Sequence, residues 1–131
     1  MIKFFSKYKI IFYFFNLFLI FLYLFPGSFL GVIIYDNKNK QPQITPDFVV
    51  SSNHFYVFTI ISLLGFLSFV KERQIKVLVI YLILLSIILE IFHLIIPGRS
   101  FQWSDLFGNL LGVIIVIFFN NLINKYGLFK K

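Results

Sequence analysis

The stretch VLVIYLILLSIILEIFHLII, residues 77–96, decides the fold class of this chain. Its length matches the roughly 20 apolar residues that an α-helix needs to cross the ~30 Å hydrocarbon core of a bilayer. Glu90 and His93 are its only acidic or basic residues. Because an ionisable side chain inside a bilayer is unfavourable by a few kcal/mol, residues of this kind indicate a functional site.

Three further apolar segments accompany this one, at about residues 10–25, 54–70 and 105–122. Over the whole chain 60% of the residues are hydrophobic and 13% are charged. Soluble domains are typically about half apolar and about a quarter charged. The sequence therefore predicts an all-α fold, a four-helix transmembrane bundle that forms a single integral membrane domain over residues 1–131.

Lysine and arginine residues are distributed unevenly around the four segments. Nine lie in the flanks on the side of the two termini, and three lie on the opposite side. Because cytoplasmic flanks are enriched in Lys and Arg, both termini are predicted to be cytoplasmic. The first segment has a poor signal-peptide cleavage pattern, which favours a retained anchor. The nine are Lys3, Lys7, Lys9, Lys71, Arg73, Lys76, Lys125, Lys130 and Lys131, and the three are Lys38, Lys40 and Arg99.

The composition also limits the partners and cofactors of the chain. It contains no cysteine, which excludes disulfide bonds and thiolate metal sites. The net charge is +7, but the basic residues flank apolar segments, so they are interpreted as topology signals and contacts with anionic lipid. The predicted partner is a membrane lipid or another lipophilic ligand. No cofactor and no nucleic acid is predicted.

The segment between the first two apolar runs, residues 27–53, is predicted to be an outer loop of turns and extended chain. Within it, residues 31–35 are expected to lie along the membrane interface. Serine side chains can accept hydrogen bonds from the free N–H groups at a helix start. Ser51 or Ser52 is therefore predicted to cap the second helix, and Ser104 the fourth.

Helical spacing brings the polar residues of the last three segments close together. With a rise of about 1.5 Å per residue, Glu90 is expected about 10 Å, and His93 about 6 Å, from the Pro97 end of the third segment. Hydrocarbon offers polar groups no hydrogen-bond partner, so they turn toward the interior of a bundle. The sequence predicts one polar pocket that opens at the outer face of the membrane, formed by His54, Glu90, His93, Arg99, Asp105 and Asn109.

Glu90 and Asp105 are candidates for a catalytic acid–base pair, because a buried carboxylate can be tuned to give or take a proton. The alternative for Glu90 is an ion pair that fixes the helix register. The alternative for Asp105, which is the favoured one, is helix capping and pairing with Arg99. His54 and His93 complete the catalytic candidates. The set has zinc-type donor chemistry, but no metal is predicted because no close-spaced ligand motif is present.

Arg99 is a candidate ligand-binding residue, because its planar guanidinium can hold a phosphate or carboxylate. Contact with lipid head groups or with Asp105 is the alternative. Asn109 is also a candidate, with an interhelical hydrogen bond as the favoured alternative. The predicted ligand-binding set is Arg99, Asn109, Glu90 and Asp105.

Two further groups of residues are assigned to structure rather than to chemistry. Gly108 and Gly112 form a Gly-x-x-x-Gly pattern, which predicts close helix packing. Four aromatic residues are interpreted as interfacial anchors: Tyr23, Tyr56, Phe101 and Trp103.

The polar residues also form an ordered pattern, in the sequence His54, Phe55, Glu90, His93, Pro97, Gly98, Arg99, Asp105, Asn109 and Gly112. Over roughly residues 51–120 this pattern resembles the VanZ-like family of bacterial integral membrane proteins, named for an accessory teicoplanin-resistance protein. That family usually has Gln at the position of His93, and often Lys shortly before the His-Phe pair, where this chain has residues 51–53. The resemblance implies a multi-pass protein of the bacterial cytoplasmic membrane that influences sensitivity to glycopeptide antibiotics.

Three functions follow from these observations. The preferred one is a binding or accessory protein whose outward-facing pocket handles an amphiphile or a cell-envelope lipid. The alternative is a small membrane enzyme that acts on a lipid-linked substrate, with Glu90 and Asp105 as its acid–base pair and Arg99 stabilising negative charge. A transporter is the least favoured function, because four helices without broken pairs are a poor basis for alternating access.

Overall fold

The protein is all-helical over the residues that the structure describes. A computed structural model describes the backbone of residues 2–127 and the side chains of residues 8–127. Five helices and no strand occur in this range: α1 Ile2–Leu24, α2 Phe29–Tyr35, α3 Ser52–Ser68, α4 Glu72–Phe92 and α5 Trp103–Tyr126. The all-α fold class is therefore confirmed. Four of the charges used to predict the topology, on Lys3, Lys7, Lys130 and Lys131, lie outside the described side chains.

Two of the helices, α4 and α5, are long and apolar enough to cross a membrane. The part of α1 from Tyr8 to Leu24 meets the same criterion only together with α2, and the two are bent by 84° at the break between them. The apolar helix α3 is shorter, with 17 residues. By length and composition the described chain thus has two membrane-spanning helices, or three if the bent pair is one span. This is consistent with a membrane protein.

Helix α5 packs closely along α3, and α1 and α4 pack against this pair. A Cβ atom on Gly112 would lie 2.7 Å from the Phe55 carbonyl oxygen, and one on Gly108 would lie 2.8 Å from that of Ser51. Since lipid does not drive helices together by the hydrophobic effect, close backbone approach and dispersion contacts stabilise such a pair. Phe58, Leu82 and Val113 are fully buried in the centre of the bundle.

The segment between α1 and α3, residues 27–53, is more structured than the predicted turns and extended chain. Residues Phe29–Tyr35 form helix α2, whose first turn is capped by the Ser28 hydroxyl accepting from the Gly31 N–H at 2.9 Å. The loop is tied to the start of α3, because Asp47 Oδ1 accepts from the Ser52 N–H at 2.9 Å.

The predicted serine caps are not formed as expected. Ser51 is the residue before α3, but its hydroxyl makes no capping bond, and Asp47 takes that role. Helix α5 begins at Trp103 after Gln102, so Ser104 is already inside it. The sequence prediction considered only residues next to the helix start. The cap is instead Asp47, which lies in the loop five residues before Ser52.

Helix α4 ends at Phe92, four residues before the predicted end of the third segment at residue 96. His93 is its C-cap residue, and the chain continues in tight turns to Arg99. Glu90 therefore lies in the last turn of the helix rather than about 10 Å inside it. The residues after α4 fold back over the end of this helix, where the Gln102 N–H donates to Glu90 Oε1. Glu90 is therefore buried although it lies near the C-terminal end of α4.

Candidate functional site

Tyr23 of α1 is the residue that connects the polar cluster. Its hydroxyl donates to Asn109 Oδ1 of α5 at 2.7 Å. Its ring is stacked on His93, with centroids 5.4 Å apart, and meets His54 edge-on at 5.3 Å. The sequence predicts an interfacial position for the Tyr23 side chain. This prediction is wrong, because the side chain is buried.

A signal for Tyr23 was present in the sequence of α1. Phe12, Asn16, Leu19 and Tyr23 follow the spacing i, i+4, i+7, i+11, and all four are buried. That spacing marks one face of a helix. Because α1 is apolar on every side, composition alone could not identify which face is directed inward.

Asn109 makes the interhelical hydrogen bonds that were its favoured interpretation. Its amide nitrogen donates to the Ser86 carbonyl oxygen of α4 at 3.1 Å, while its amide oxygen accepts from Tyr23. The side chain is fully buried. Asn109 therefore links α1, α4 and α5, and its polar atoms are engaged by protein groups.

Glu90 and His93 form a buried pair at the end of α4, with relative exposures of 0% and 2%. Glu90 Oε1 lies 3.3 Å from His93 Nδ1 and accepts from the backbone N–H of Gln102 at 3.1 Å. His93 Nε2 is 3.1 Å from the Tyr23 carbonyl oxygen. A carbonyl only accepts, so Nε2 carries a hydrogen.

The second oxygen of this carboxylate, Glu90 Oε2, is buried and has no hydrogen-bond partner among the described residues. Such an atom is unusual, because the large majority of buried polar side-chain atoms in proteins have a partner. It is the only carboxylate oxygen with this property in the described part of the chain.

His54 and Asp105 form a second pair across the α3–α5 contact. His54 Nδ1 lies 3.5 Å from Asp105 Oδ1 and is hydrogen-bonded to the Ser51 hydroxyl at 2.8 Å. Both side chains are largely buried, with exposures of 18% and 15%. One ligand atom each of His54, Glu90 and Asp105 lie within 4.8 Å of one another. The structure thus brings three of the catalytic candidates together.

Arg99 stands apart from the two carboxylates and forms no ion pair within the described side chains. Its guanidinium donates from Nη2 to the Leu22 carbonyl oxygen at 2.8 Å and from Nε to that of Phe25 at 3.3 Å. It therefore caps the C-terminus of α1, where a cation is favourable. The predicted pairing with Asp105 is not made. Burial lowers the pKa of Arg99, but an arginine remains charged in a protein.

Next to these residues is a cavity of about 160 Å³. His54, His93 and Arg99 are among the residues that line it, whereas Glu90, Asp105 and Asn109 lie outside its lining. The rest of the wall is mixed, and comprises Leu19, Leu22, Tyr23, Leu30, Gln41, Pro42, Ile44, Asn53 and Val57.

An apolar groove of about 180 Å³ between α1 and α3 adjoins this cavity. The two share three wall residues, Leu19, Leu22 and Val57. The two spaces therefore lie side by side: polar side chains are among the wall residues of the cavity, whereas the wall of the groove is wholly apolar. A wider groove of about 450 Å³ lies near Arg73 and Tyr81, and its wall includes no acidic or histidine side chain.

Comparisons with protein-family models, with curated proteins and with solved structures each find no match for this chain.

Proposed function

We propose that this chain is a VanZ-like, multi-pass protein of the bacterial cytoplasmic membrane that binds an amphiphile at the outer leaflet. In this proposal α1, α3, α4 and α5 form a four-helix transmembrane bundle with both termini in the cytoplasm. The amphiphile carries an anionic head group, such as that of a cell-envelope lipid, and binding it influences sensitivity to glycopeptide antibiotics.

The observation that carries the proposal is that the cavity and the apolar groove lie side by side. The cavity beside Arg99 and His54 shares Leu19, Leu22 and Val57 with the apolar groove between α1 and α3. A head group in the cavity would be near a guanidinium, and an attached acyl chain would follow the groove. Apolar pockets with a few placed polar groups are typical of ligand sites.

The topology is supported by the charge distribution and by helix length. Nine basic residues flank one side of the bundle and three the other. Helix α3, with 17 residues, is about 26 Å long at the usual rise, which is close to the thickness of the hydrocarbon core. The 84° bend after α1 would lay α2 along the outer interface.

Filling the shared part of the two spaces tests the binding proposal. Val57→Trp should lower saturable binding of a fluorescent phosphatidylglycerol at least tenfold, about 1.4 kcal/mol, in phosphatidylcholine nanodiscs. Ile114→Trp, on the exposed face of α5, is the matched control and should bind like the unmodified chain. Equal binding by both variants, or none by the unmodified chain, would contradict the proposal.

The topology has its own experiment, because the chain contains no cysteine. Single-cysteine variants Asn39→Cys and Asn124→Cys place one thiol in the outer loop and one near the end of α5. A membrane-impermeant maleimide added to intact cells should label the first and spare the second. The reverse pattern would place the cavity on the cytoplasmic side and overturn the outer-leaflet assignment.

A membrane enzyme acting on a lipid-linked substrate is the second candidate, and Glu90 Oε2 is the observation that favours it. This oxygen is buried and has no hydrogen-bond partner within the described residues. In this second candidate the substrate would reach within hydrogen-bond distance of Oε2, where a carboxylate can act as general acid or base. Glu90→Gln keeps the shape and removes the ionisation. If the unmodified chain changes the mass of the bound lipid and Glu90→Gln only binds it, the enzyme is favoured.

A further inference from the structure

No N–H or O–H group of the described residues donates a hydrogen bond to Oε2 of Glu90. The side chain is 0% exposed, and Oε2 has no hydrogen bond, whereas Oε1 is held by Gln102 and His93. A buried carboxylate oxygen without a donor is unfavourable. A bound cation is one way to stabilise it, and the groups around Glu90 are those that bind cations.

We infer that His54, Glu90 and Asp105 together bind one divalent transition-metal ion. These residues come from α3, α4 and α5, and one ligand atom of each lies within 4.8 Å of the others. His54 Nδ1 and Asp105 Oδ1 are 3.5 Å apart. Two ligands at about 2.0–2.1 Å from a tetrahedral ion are about 3.4 Å apart. For the inferred ion to bind, the Glu90 ligand atom, which lies within 4.8 Å of the other two, would move closer to them.

Contacts from neighbouring residues hold two of the three side chains in place. The Ser51 hydroxyl is hydrogen-bonded to His54 Nδ1 itself at 2.8 Å, so an ion bound at Nδ1 would replace this contact. Glu90 is held through its other oxygen by the N–H of Gln102 at 3.1 Å. Such outer contacts set the direction and basicity of ligating side chains. His93 belongs to this outer set, because both of its nitrogens face protein oxygen atoms.

The donor set identifies the class of ion. One imidazole and two carboxylates suit Zn²⁺ or Mn²⁺, whereas Ca²⁺ takes six to eight oxygens and Mg²⁺ keeps several waters. Two carboxylates balance the charge of a divalent ion, so the loaded cluster is nearly neutral inside an apolar bundle. Three protein ligands leave a coordination position for water or for an anionic group in the cavity that His54 lines. The inference does not depend on amphiphile binding.

The test uses the full chain in nanodiscs, stripped with a chelator and then titrated with Zn²⁺ or Mn²⁺. Calorimetry and elemental analysis should give one ion per chain, and Mg²⁺ should not compete. Cobalt(II) in place of zinc should give a visible ligand-field spectrum. Glu90→Gln and Asp105→Asn should each weaken binding at least tenfold. Glu72→Gln, an exposed carboxylate on the same helix as Glu90, is the matched control and should leave binding unchanged.

Two results would overturn the metal site. One is no stoichiometric binding of either ion by the unmodified chain, a measurement that does not depend on any variant folding. The other is equal binding by the unmodified chain and by Glu90→Gln with unchanged helix content, which would place the ion elsewhere. An infrared band of a protonated carboxyl group that disappears in Glu90→Gln would then assign a proton to this position.

Discussion

The two ends of the helix bundle are held together by different interactions. At the polar end, Tyr23, Asn109 and Ser86 join three helices through buried hydrogen bonds, and Glu90 and His93 form a buried pair beside them. At the apolar end, packed side chains dominate, with a hydrogen bond from Tyr81 to Asn16 at 2.8 Å. The cavity at the polar end measures about 160 Å³, and the groove at the apolar end about 450 Å³.

This difference indicates which end of the bundle has the more strictly defined arrangement of side chains. Hydrogen bonds between helices have fixed partners and directions, so they allow one arrangement of the polar end. Dispersion contacts between Leu, Ile and Phe side chains allow many similar arrangements with small changes in free energy. The polar end is therefore suited to hold chemical groups in a fixed geometry, whereas the side-chain arrangement of the apolar end is less strictly defined.

The largest expected effect is the loss of the Glu90 carboxylate. Glu90→Leu leaves the Gln102 N–H without its acceptor and His93 Nδ1 without its partner inside the bundle. We expect the free energy of unfolding to fall by about 3–5 kcal/mol, because one member of a buried pair remains alone. Titration with SDS, followed by circular dichroism, measures it. Stability equal to that of the unmodified chain would mean that the pair contributes specificity and not stability.

Glycine substitutions compare the close contacts at the two ends. Gly112→Ala should destabilise by about 1–3 kcal/mol, because the new methyl group meets the Phe55 carbonyl and the Thr59 N–H. Gly65→Ala is the matched variant at the apolar end, where the nearest atoms belong to the side chains of Leu78 and Phe12. These can move, so the loss should be smaller. The same SDS titration measures both losses of stability. Equal losses would contradict the expected difference between the two ends.

Two tyrosine variants compare single hydrogen bonds. Tyr23→Phe and Tyr81→Phe each remove one hydroxyl that donates to an asparagine, Asn109 and Asn16 respectively. In membranes such bonds contribute about 0.6 kcal/mol on average and at most about 1.7 kcal/mol. Tyr23→Phe should be nearer the upper value, since its partner is fully buried. A double-mutant cycle with Asn109→Leu measures the coupling, and a value near zero would remove the distinction between the ends.

The smallest expected effect concerns the charged residues beyond the apolar end. Lys76 and Glu72 form an ion pair at 2.7 Å, and both side chains are mostly exposed, at 73% and 83%. Exposed pairs of this kind contribute little and are screened by salt. Lys76→Gln should therefore leave the unfolding midpoint unchanged at moderate ionic strength. A clear loss would show that contacts beyond the apolar end stabilise the bundle more than its packing suggests.

Much of the helical fold could be predicted from the sequence, and the exceptions have identifiable causes. The apolar runs indicated α1, α3, α4 and α5, because each run is long and bounded by polar or Pro-Gly sequence. Helix α2 was not predicted, since a seven-residue helix has little signal of its own. Pro97 suggested a later end for α4 than the observed one at Phe92.

The candidate site could be predicted only in part. The proximity of His54, Glu90 and Asp105 follows from their positions near the same ends of three apolar helices. The roles of Arg99 and Tyr23 did not follow. Arg99 bonds to carbonyl groups more than 70 residues earlier in the chain, and Tyr23 is one of many aromatic residues on a helix without polar contrast. The Arg99 contacts leave no local pattern, whereas the i, i+4, i+7, i+11 spacing of the buried residues of α1 does mark the helix face that carries Tyr23.

The order of residues is sufficient to indicate that this chain is helical and apolar, and that His54, Glu90 and Asp105 lie near the same ends of their helices. A long apolar run needs internal backbone hydrogen bonds, and a charged group avoids hydrocarbon; both are local properties of composition and order. Which atoms meet depends on the packing of the helices: Tyr23 meets Asn109, Arg99 meets the end of α1, and Glu90 Oε2 meets no donor among the described residues. The reason is that helix rotation and the path of the connecting segments set these contacts.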